Sequence, residues 1–235
     1  EPLQRLLARV PQADHPLVGE AYHLANASHE GQSREAGQPY ITHPIAVALI
    51  LASELHFYRD GEMMAAALLH DAVEDSALDL DDITRTFGRT VTTLVQGVTK
   101  VGGPSARSHS ARRVATLQKL FTAARQDPRV LILKMADRVH NMRSIQGIRD
   151  SKRRQRIAQE TADVYAPLSH LLGMGRIRRE LEDSSFECLK PEVYSKVTKV
   201  LEPGPPEGFV DFQGAAEDVI REHGIRSRVR LHTKS

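Results

Sequence analysis

Residues 61–75 read Gly61-Glu-Met-Met-Ala-Ala-Ala-Leu-Leu-His70-Asp71-Ala-Val-Glu74-Asp75. Met63–Leu69 is an apolar run of helix-forming residues. His70 and Asp71 close it. An ionisable pair at the end of such a run needs a partner, because burying unpaired charge is costly. Glu74 follows His70 by four residues, and Asp75 follows Asp71 by four. In a continuous helix these offsets share a face. Three carboxylates within five residues repel one another unless a cation or protons sit among them.

The helical pattern extends outward from this stretch. Asp14–Glu30 reads as a helix, and Gly31–Tyr40 as a loop, from its two glycines and Pro39. Thr42 is placed to cap a helix running to about His56, with Pro44 in its first turn. Glu62–Asp71 is the next helix. Leu80–Phe87 and Val91–Val98 are shorter helices split by Gly88, and Gly102–Ser110 is a loop. Ser110–Ala124, Arg129–Ile145, Lys152–Leu172 and Arg176–Leu189 complete the series. Glu202–Gly208, with three Pro and two Gly in seven residues, reads as a linker. A helix over Phe212–His223 and a basic, strand-like stretch over Ile225–Thr233 follow it. The predicted fold class is all-α, with many helices around one core.

Composition excludes several other classes. The chain has 235 residues, 40% hydrophobic and 26% charged, with one cysteine, so neither a disordered tail nor a disulfide scaffold fits. The longest apolar run, Ile45–Ala52, is far short of the ~20 residues that span a bilayer. No secretory leader is visible, so a cytoplasmic setting is expected. The net charge of +2 hides a polarity. Residues 60–82 hold eight acids and no Lys or Arg, whereas residues 100–154 hold 14 Lys and Arg against three acids. An acidic block containing histidine suits a metal, and a basic block suits phosphate.

Two further residues join the opening pair. Asp137 lies among Leu131, Ile132, Leu133 and Met135, and His43 begins its own helix. Two imidazoles and two carboxylates make a shell for a divalent ion such as Mn²⁺, Fe²⁺ or Zn²⁺, and without a thiolate it does not read as a structural zinc site.

Three words of sequence carry a family resemblance. They are Tyr40-Ile-Thr-His43-Pro, Leu68-Leu-His70-Asp71-Ala-Val-Glu74-Asp75 and Lys134-Met-Ala-Asp137-Arg-Val-His-Asn141-Met-Arg143. Together with Thr86-Phe-Gly, Gly97-Val-Thr-Lys100 and Tyr165-Ala-Pro-Leu168-Ser-His170, they resemble the hydrolase half of RelA/SpoT-type alarmone enzymes, within the HD superfamily. The resemblance covers roughly Asp14 to Leu201. It implies a multi-helix HD-domain bundle around a single metal site. The implied activity is removal of the 3′-pyrophosphate of ppGpp or pppGpp, giving GDP or GTP, with one Mn²⁺ as cofactor. It further implies that His43, His70, Asp71 and Asp137 are the metal ligands and that Glu74 and Asp75 are the catalytic pair. Arg34, Tyr40, Asn141, Arg143 and Ser144 fall at positions that line the nucleotide pocket, and the role of Lys134 stays open.

One loop departs from the family. Relatives commonly read Arg-Lys-Ser-Gly where this chain reads Arg34-Glu35-Ala36-Gly37. Glu35 replaces a cation beside a phosphate-rich ligand, which raises the question of substrate affinity. The stretch from Gly224 to Ser235 resembles the opening of the family's synthetase domain and stops there. The expected organisation is therefore a hydrolase domain over 1–201, then a linker, a helix and a truncated synthetase-like start over 202–235. The synthetase and regulatory domains are expected to be missing. No membrane or direct nucleic-acid partner is expected. Two alternatives remain at this stage: an HD phosphohydrolase of another nucleotide, and a non-catalytic alarmone-binding module. Cys188 and His170 read as packing residues and His109 as an exposed loop residue. His140 reads as either a support to the metal site or a structural hydrogen-bond partner.

Overall fold

The computed structural model describes residues 2–75, 78–99 and 109–201. The chain divides into two compact units, Glu1–Leu189 and Lys190–Ser235, each taken here by itself. The described residues are almost wholly helical, and the one β-type pairing is an isolated bridge between Ser33 and Pro39. The first unit runs α1 (Pro2–Leu7), α2 (His15–Ser28), α3 (Thr42–Ser53), α4 (Gly61–Leu69), α5 (Ala72–Asp75), α6 (Leu80–Val98), α7 (His109–Ala124), α8 (Arg129–Arg143), α9 (Ser151–Glu160), α10 (Ala166–Leu171) and α11 (Gly175–Leu189). Of the second unit, α12 (Pro191–Leu201) is described. The all-α expectation holds. Helices α1 and α12 have no counterpart in the sequence reading.

The core follows from composition. Helix α4 buries eight of its nine residues, all but Glu62, and α3 buries eight of its twelve. A helix that is apolar all round belongs inside. Accordingly α2, α3 and α6 pack on α4, and α3 and α6 also pack on α8. Gly97 sits where α6 approaches α7 and α8. A Cβ there would lie 2.7 Å from a Val130 methyl and 2.9 Å from the Ala123 methyl. Gly88 adopts φ 80° and ψ 174°, breaking α6 into the two halves read from the sequence.

Three local expectations change. Thr42 is not the cap of α3: Ile41 holds that place, and the Thr42 hydroxyl donates to the Pro39 carbonyl at 2.8 Å. The chain already turns at Pro39, so the hydroxyl serves the preceding turn. The helix over Glu62–Asp71 ends at Leu69, and Asp71 lies in a turn before α5. His70 Nδ1 donates to the Ala67 carbonyl at 2.8 Å, satisfying an acceptor the ending helix frees. The shared-face argument across residues 70–75 therefore fails, since no single helix spans them.

The third change lies between Lys152 and Leu172. Here α9 and α10 are joined by a π-helical turn, Thr161–Tyr165. Pro167 has no N–H to donate four residues back, and the wider turn absorbs that loss. Asp150 caps α9, accepting from the Lys152 and Arg153 amides at 2.9 and 3.3 Å.

His109 opens α7 rather than closing a loop, and His170 is exposed beside Arg178 instead of packed. Cys188 is half-buried against the core, as expected. Residues 102–108, Lys100, the Glu202–Gly208 linker, the Phe212–His223 helix and the Ile225–Thr233 stretch lie outside the described residues. Among the described residues no helix is long and apolar enough to cross a membrane.

Candidate metal centre and its cavity

Four side chains meet where α3 begins, α4 ends and α8 passes. His43 lies in the first turn of α3, His70 caps α4, Asp71 follows in the turn, and Asp137 sits midway along α8. His43 Nε2 is 3.2 Å from His70 Nε2, 3.3 Å from Asp71 Oδ2 and 3.4 Å from Asp137 Oδ1. His70 Nε2 is 3.4 Å from Asp71 Oδ2 and 3.8 Å from Asp137 Oδ1. Separations of this size suit ligands bound at about 2.0–2.2 Å to one shared ion.

The hydrogen bonds around the cluster leave its lone pairs facing inward. His70 Nδ1 gives its proton to the Ala67 carbonyl, so Nε2 keeps a free lone pair. His43 Nδ1 lies 2.7 Å from His140 Nδ1. His140 is held neutral, its pKa pushed down to about 3 by burial and by the cationic character of His43 and Arg34 beside it. Arg34 Nη1 also reaches His140 Nδ1, at 3.5 Å, so that nitrogen accepts and His43 Nδ1 donates, which turns His43 Nε2 to the cluster. Two imidazole nitrogens and two carboxylate oxygens thus converge, an arrangement held together by a proton on His43 or by a divalent cation in its place. His43, His70 and Asp71 already satisfy the geometry of a metal-holding group.

The carboxylates are held in their charged form. Burial works against ionised Asp137, but Lys134 and the two histidines outweigh it and keep its carboxyl well below the usual range. Asp71 is likewise lowered, with burial opposed by His70 and His43. Burial pushes His43 down, while Asp137 and Asp71 push it up further, so its pKa is raised. Lys134, 5% exposed, donates to Asp137 Oδ2 at 2.8 Å, and Asn141 donates to Oδ1 at 2.5 Å. Tyr40 donates to Asp71 Oδ2 at 2.8 Å, and its ring stacks on His29 with centroids 4.3 Å apart.

The cluster opens into a cavity of about 430 Å³. One wall is the loop 31–40, closed into a tight hairpin by hydrogen bonds between Arg34 and Gln38 (2.8 Å) and between Tyr40 and Gln32 (3.1 Å). It brings Arg34 to α8, where Nη2 donates to Asn141 Oδ1 and to Ser144 Oγ, both at 3.3 Å. Arg34, Tyr40, Asn141 and Ser144 all line the cavity.

Arg143 does not join them. Its guanidinium pairs with Glu54 at 2.7 and 2.9 Å and with Glu180 at 2.5 and 2.9 Å, outside the cavity. Glu74, on α5, does not line the cavity either, and its charge acts on Lys119 of α7. The side chain of Asp75 lies outside the described residues. Glu35 does face the cavity, but it pairs with Arg153 and accepts from the Arg149 amide at 3.1 Å. The sequence reading assigned no site role to Arg138, Arg153 or Glu160, which also line the cavity. Arg138 was legible as the residue one turn after Lys134, and Glu160 carried no signal at all.

Residues 21–175 match the family described as HD domain. The chain belongs to the HD-domain family. Among curated proteins it is 40% identical over 229 residues to the bifunctional (p)ppGpp synthase/hydrolase SpoT of Escherichia coli, covering 96% of this chain and 32% of that one. It is 44% identical over 197 residues to the guanosine-3′,5′-bis(diphosphate) 3′-pyrophosphohydrolase of Aquifex aeolicus, covering 84% of this chain and 27% of that one. A solved structure, described as a metazoan ortholog of SpoT that hydrolyzes ppGpp and plays a role in starvation responses, is similar at TM-score 0.51 and 25% identity. The match covers 82% of this chain and 96% of that one. The chain spans about a third or less of the length of the curated relatives. The RelA/SpoT-type resemblance of the motif words is borne out.

Proposed function

We propose that this chain hydrolyses the 3′-pyrophosphate of ppGpp or pppGpp, giving GDP or GTP. Water is consumed, the bond to the ribose 3′ oxygen is cleaved, and pyrophosphate leaves. The relatives with those printed activities support the substrate. The observation that carries the reading is a four-ligand cluster opening directly into a cavity lined by Arg34, Lys134 and Arg138. The phosphate-rich ligand and the metal then occupy adjoining places.

His43, His70, Asp71 and Asp137 would hold the ion, which we take to be one Mn²⁺. When bound, such an ion lowers the pKa of water from ~15.7 towards ~7. Arg34, Tyr40, Asn141 and Ser144 orient the nucleotide. Arg143 is left out of that set, because its guanidinium is taken by Glu54 and Glu180. Glu74 and Asp75 are the proposed acceptors of the water's proton, on the short helix immediately after Asp71. The non-catalytic alternative rested in part on the Glu35-Ala36 departure, and Glu35 is paired with Arg153 rather than left bare toward the ligand. The cytoplasmic setting and the division into a hydrolase domain (1–201) and a linker with a synthetase-like start (202–235) belong to the same proposal. Relatives three times as long, one named as bifunctional, support that division.

The test is incubation of the purified chain with Mn²⁺ and ppGpp, following GDP and pyrophosphate. Turnover abolished by Asp71→Ala is expected. No turnover, or turnover that survives this substitution, overturns the reading.

A further inference from the structure

Helix α8 delivers two buried cations to the cavity. Lys134 is 5% exposed and Arg138 8% exposed, and they stand one helical turn apart on the same face. Lys134 is held by Asp137. Arg138 lies in a built setting. Its Nη2 donates to Glu160 Oε2 at 3.2 Å and its Nη1 to Thr161 Oγ1 at 3.4 Å. Its guanidinium carbon stands 3.9 Å over the centre of the Tyr165 ring. Its Nε has no hydrogen-bond partner among the described residues. The π-helical turn supplies Thr161 and Tyr165 together, directly after Glu160. Glu160 is itself shared, standing 3.7 Å from Arg113.

The charges of the cavity wall balance. Arg34, Lys134, Arg138 and Arg153 face Glu35, Asp71, Asp137 and Glu160. A divalent ion in the cluster leaves this wall with two positive charges in excess. Excess charge on buried side chains such as Lys134 and Arg138 is costly until a counter-charge arrives. Arg138 offers planar donors suited to phosphate oxygens, and Lys134 a point charge beside them.

We propose that Lys134 and Arg138 form a diphosphate-binding subsite on α8, adjoining the metal cluster and separate from its ligands. It deepens the reading above, on which it rests, by assigning residues to the leaving pyrophosphate. Glu160 restrains Arg138 while the subsite is empty and competes with the incoming anion. Metal and diphosphate binding are therefore coupled, each favouring the other.

The experiment is calorimetric titration of the whole chain with inorganic pyrophosphate, with and without Mn²⁺. Binding is expected with Mn²⁺ and much weaker without it. Arg138→Met should weaken it about tenfold or more, the loss of a charge-assisted hydrogen bond. Glu160→Gln should tighten it several-fold, because the guanidinium is released from its carboxylate. A purely structural Arg138–Glu160 pair predicts no such gain. If Arg138→Met does not fold, as its melting curve will show, Glu160→Gln decides alone. Unchanged binding in a folded Arg138→Met protein, or unchanged or weaker binding in Glu160→Gln, overturns the proposal. Hydrolysis of ppGpp by the unaltered chain is measured beside it. Turnover without this binding pattern sinks the subsite alone. The pattern without turnover leaves the subsite standing and sinks the assignment of substrate.

Discussion

Replacing Lys134 by Met removes a buried cation while keeping most of its stem. Lys134 and Asp137 are each about 5% exposed, and their charged atoms are 2.8 Å apart. At an effective dielectric of ~20 their attraction is roughly 6 kcal/mol, set against the cost of dehydrating both. The substitution leaves the dehydration of Asp137 without that attraction. Breaking a buried pair in this way costs about 3–5 kcal/mol, which in a domain of this size lowers the melting temperature by roughly 6–20 °C. A divalent ion in the cluster supplies positive charge to the same carboxylate. The variant should therefore recover more stability than the unaltered chain when Mn²⁺ replaces chelator. Thermal unfolding followed by circular dichroism, first in chelator and then across a Mn²⁺ titration, measures both halves. A metal-free variant melting within ~2 °C of the parent would refute the reasoning. So would a gap that is the same with and without Mn²⁺.

Tyr40→Phe removes the donor to Asp71 but keeps the ring on His29, so metal affinity should fall about 10–100-fold with little change in melting. A Mn²⁺ titration checks it. Arg153→Gln leaves the Glu35 carboxylate uncompensated in the cavity wall and should weaken ppGpp binding several-fold, whereas the double change with Glu35→Gln should restore it. Gly97→Ala drives a methyl into Val130 and Ala123, at an expected cost of about 1–3 kcal/mol in denaturant unfolding, and Val130→Ala in the same chain should recover part of it. Hydrogen bonding by Arg143 lowers the Glu54 carboxyl, so the stability it contributes is present above the ordinary glutamate range and fades as pH falls below it. Glu54→Gln should accordingly cost about 0.5–1 kcal/mol at neutral pH for this partly exposed pair, with the difference closing on acidification.

The sequence carried more of the site than of the local backbone. The four ligand-type residues were readable from the motif words, and the structure brings each histidine within 3.8 Å of both carboxylates. The reason first offered for the second word did not survive, because α4 ends at Leu69 and no helix spans 70–75. Identity was legible there and geometry was not. Asn141 falls four residues after Asp137 and Ser144 four after His140, on the cavity face of the α8 turn. Arg143, two residues from Asn141, falls off that face, and the spacing rule alone would have shown it. The π-helical turn was foreshadowed only by Pro167. The Glu35–Arg153 pairing joins residues 118 apart, and nothing local in either segment announces it.

The charge polarity of the chain led to the right place by a different route. Most of the acidic block does not meet a metal. Asp60 caps α4 and pairs with Arg129, Asp79 caps α6, and Asp82 pairs with Arg85. Within it, among the described side chains, Asp71 is the acid that both joins the cluster and lines the cavity. The basic block divides in the same way. Arg129 and Arg143 are consumed by carboxylates elsewhere in the domain, whereas Lys134, Arg138 and Arg153 face the cavity. Helical period separates the two groups, since Lys134, Arg138 and the cluster carboxylate Asp137 stand on one face of α8. A block of like charge reports the composition of a segment. Which of its members act is decided by the face each occupies and by the counter-charge it meets there. Across the cavity wall the positive charges exceed the negative by two once a divalent ion is counted, and that excess makes a phosphate-rich ligand the fitting occupant of the cavity.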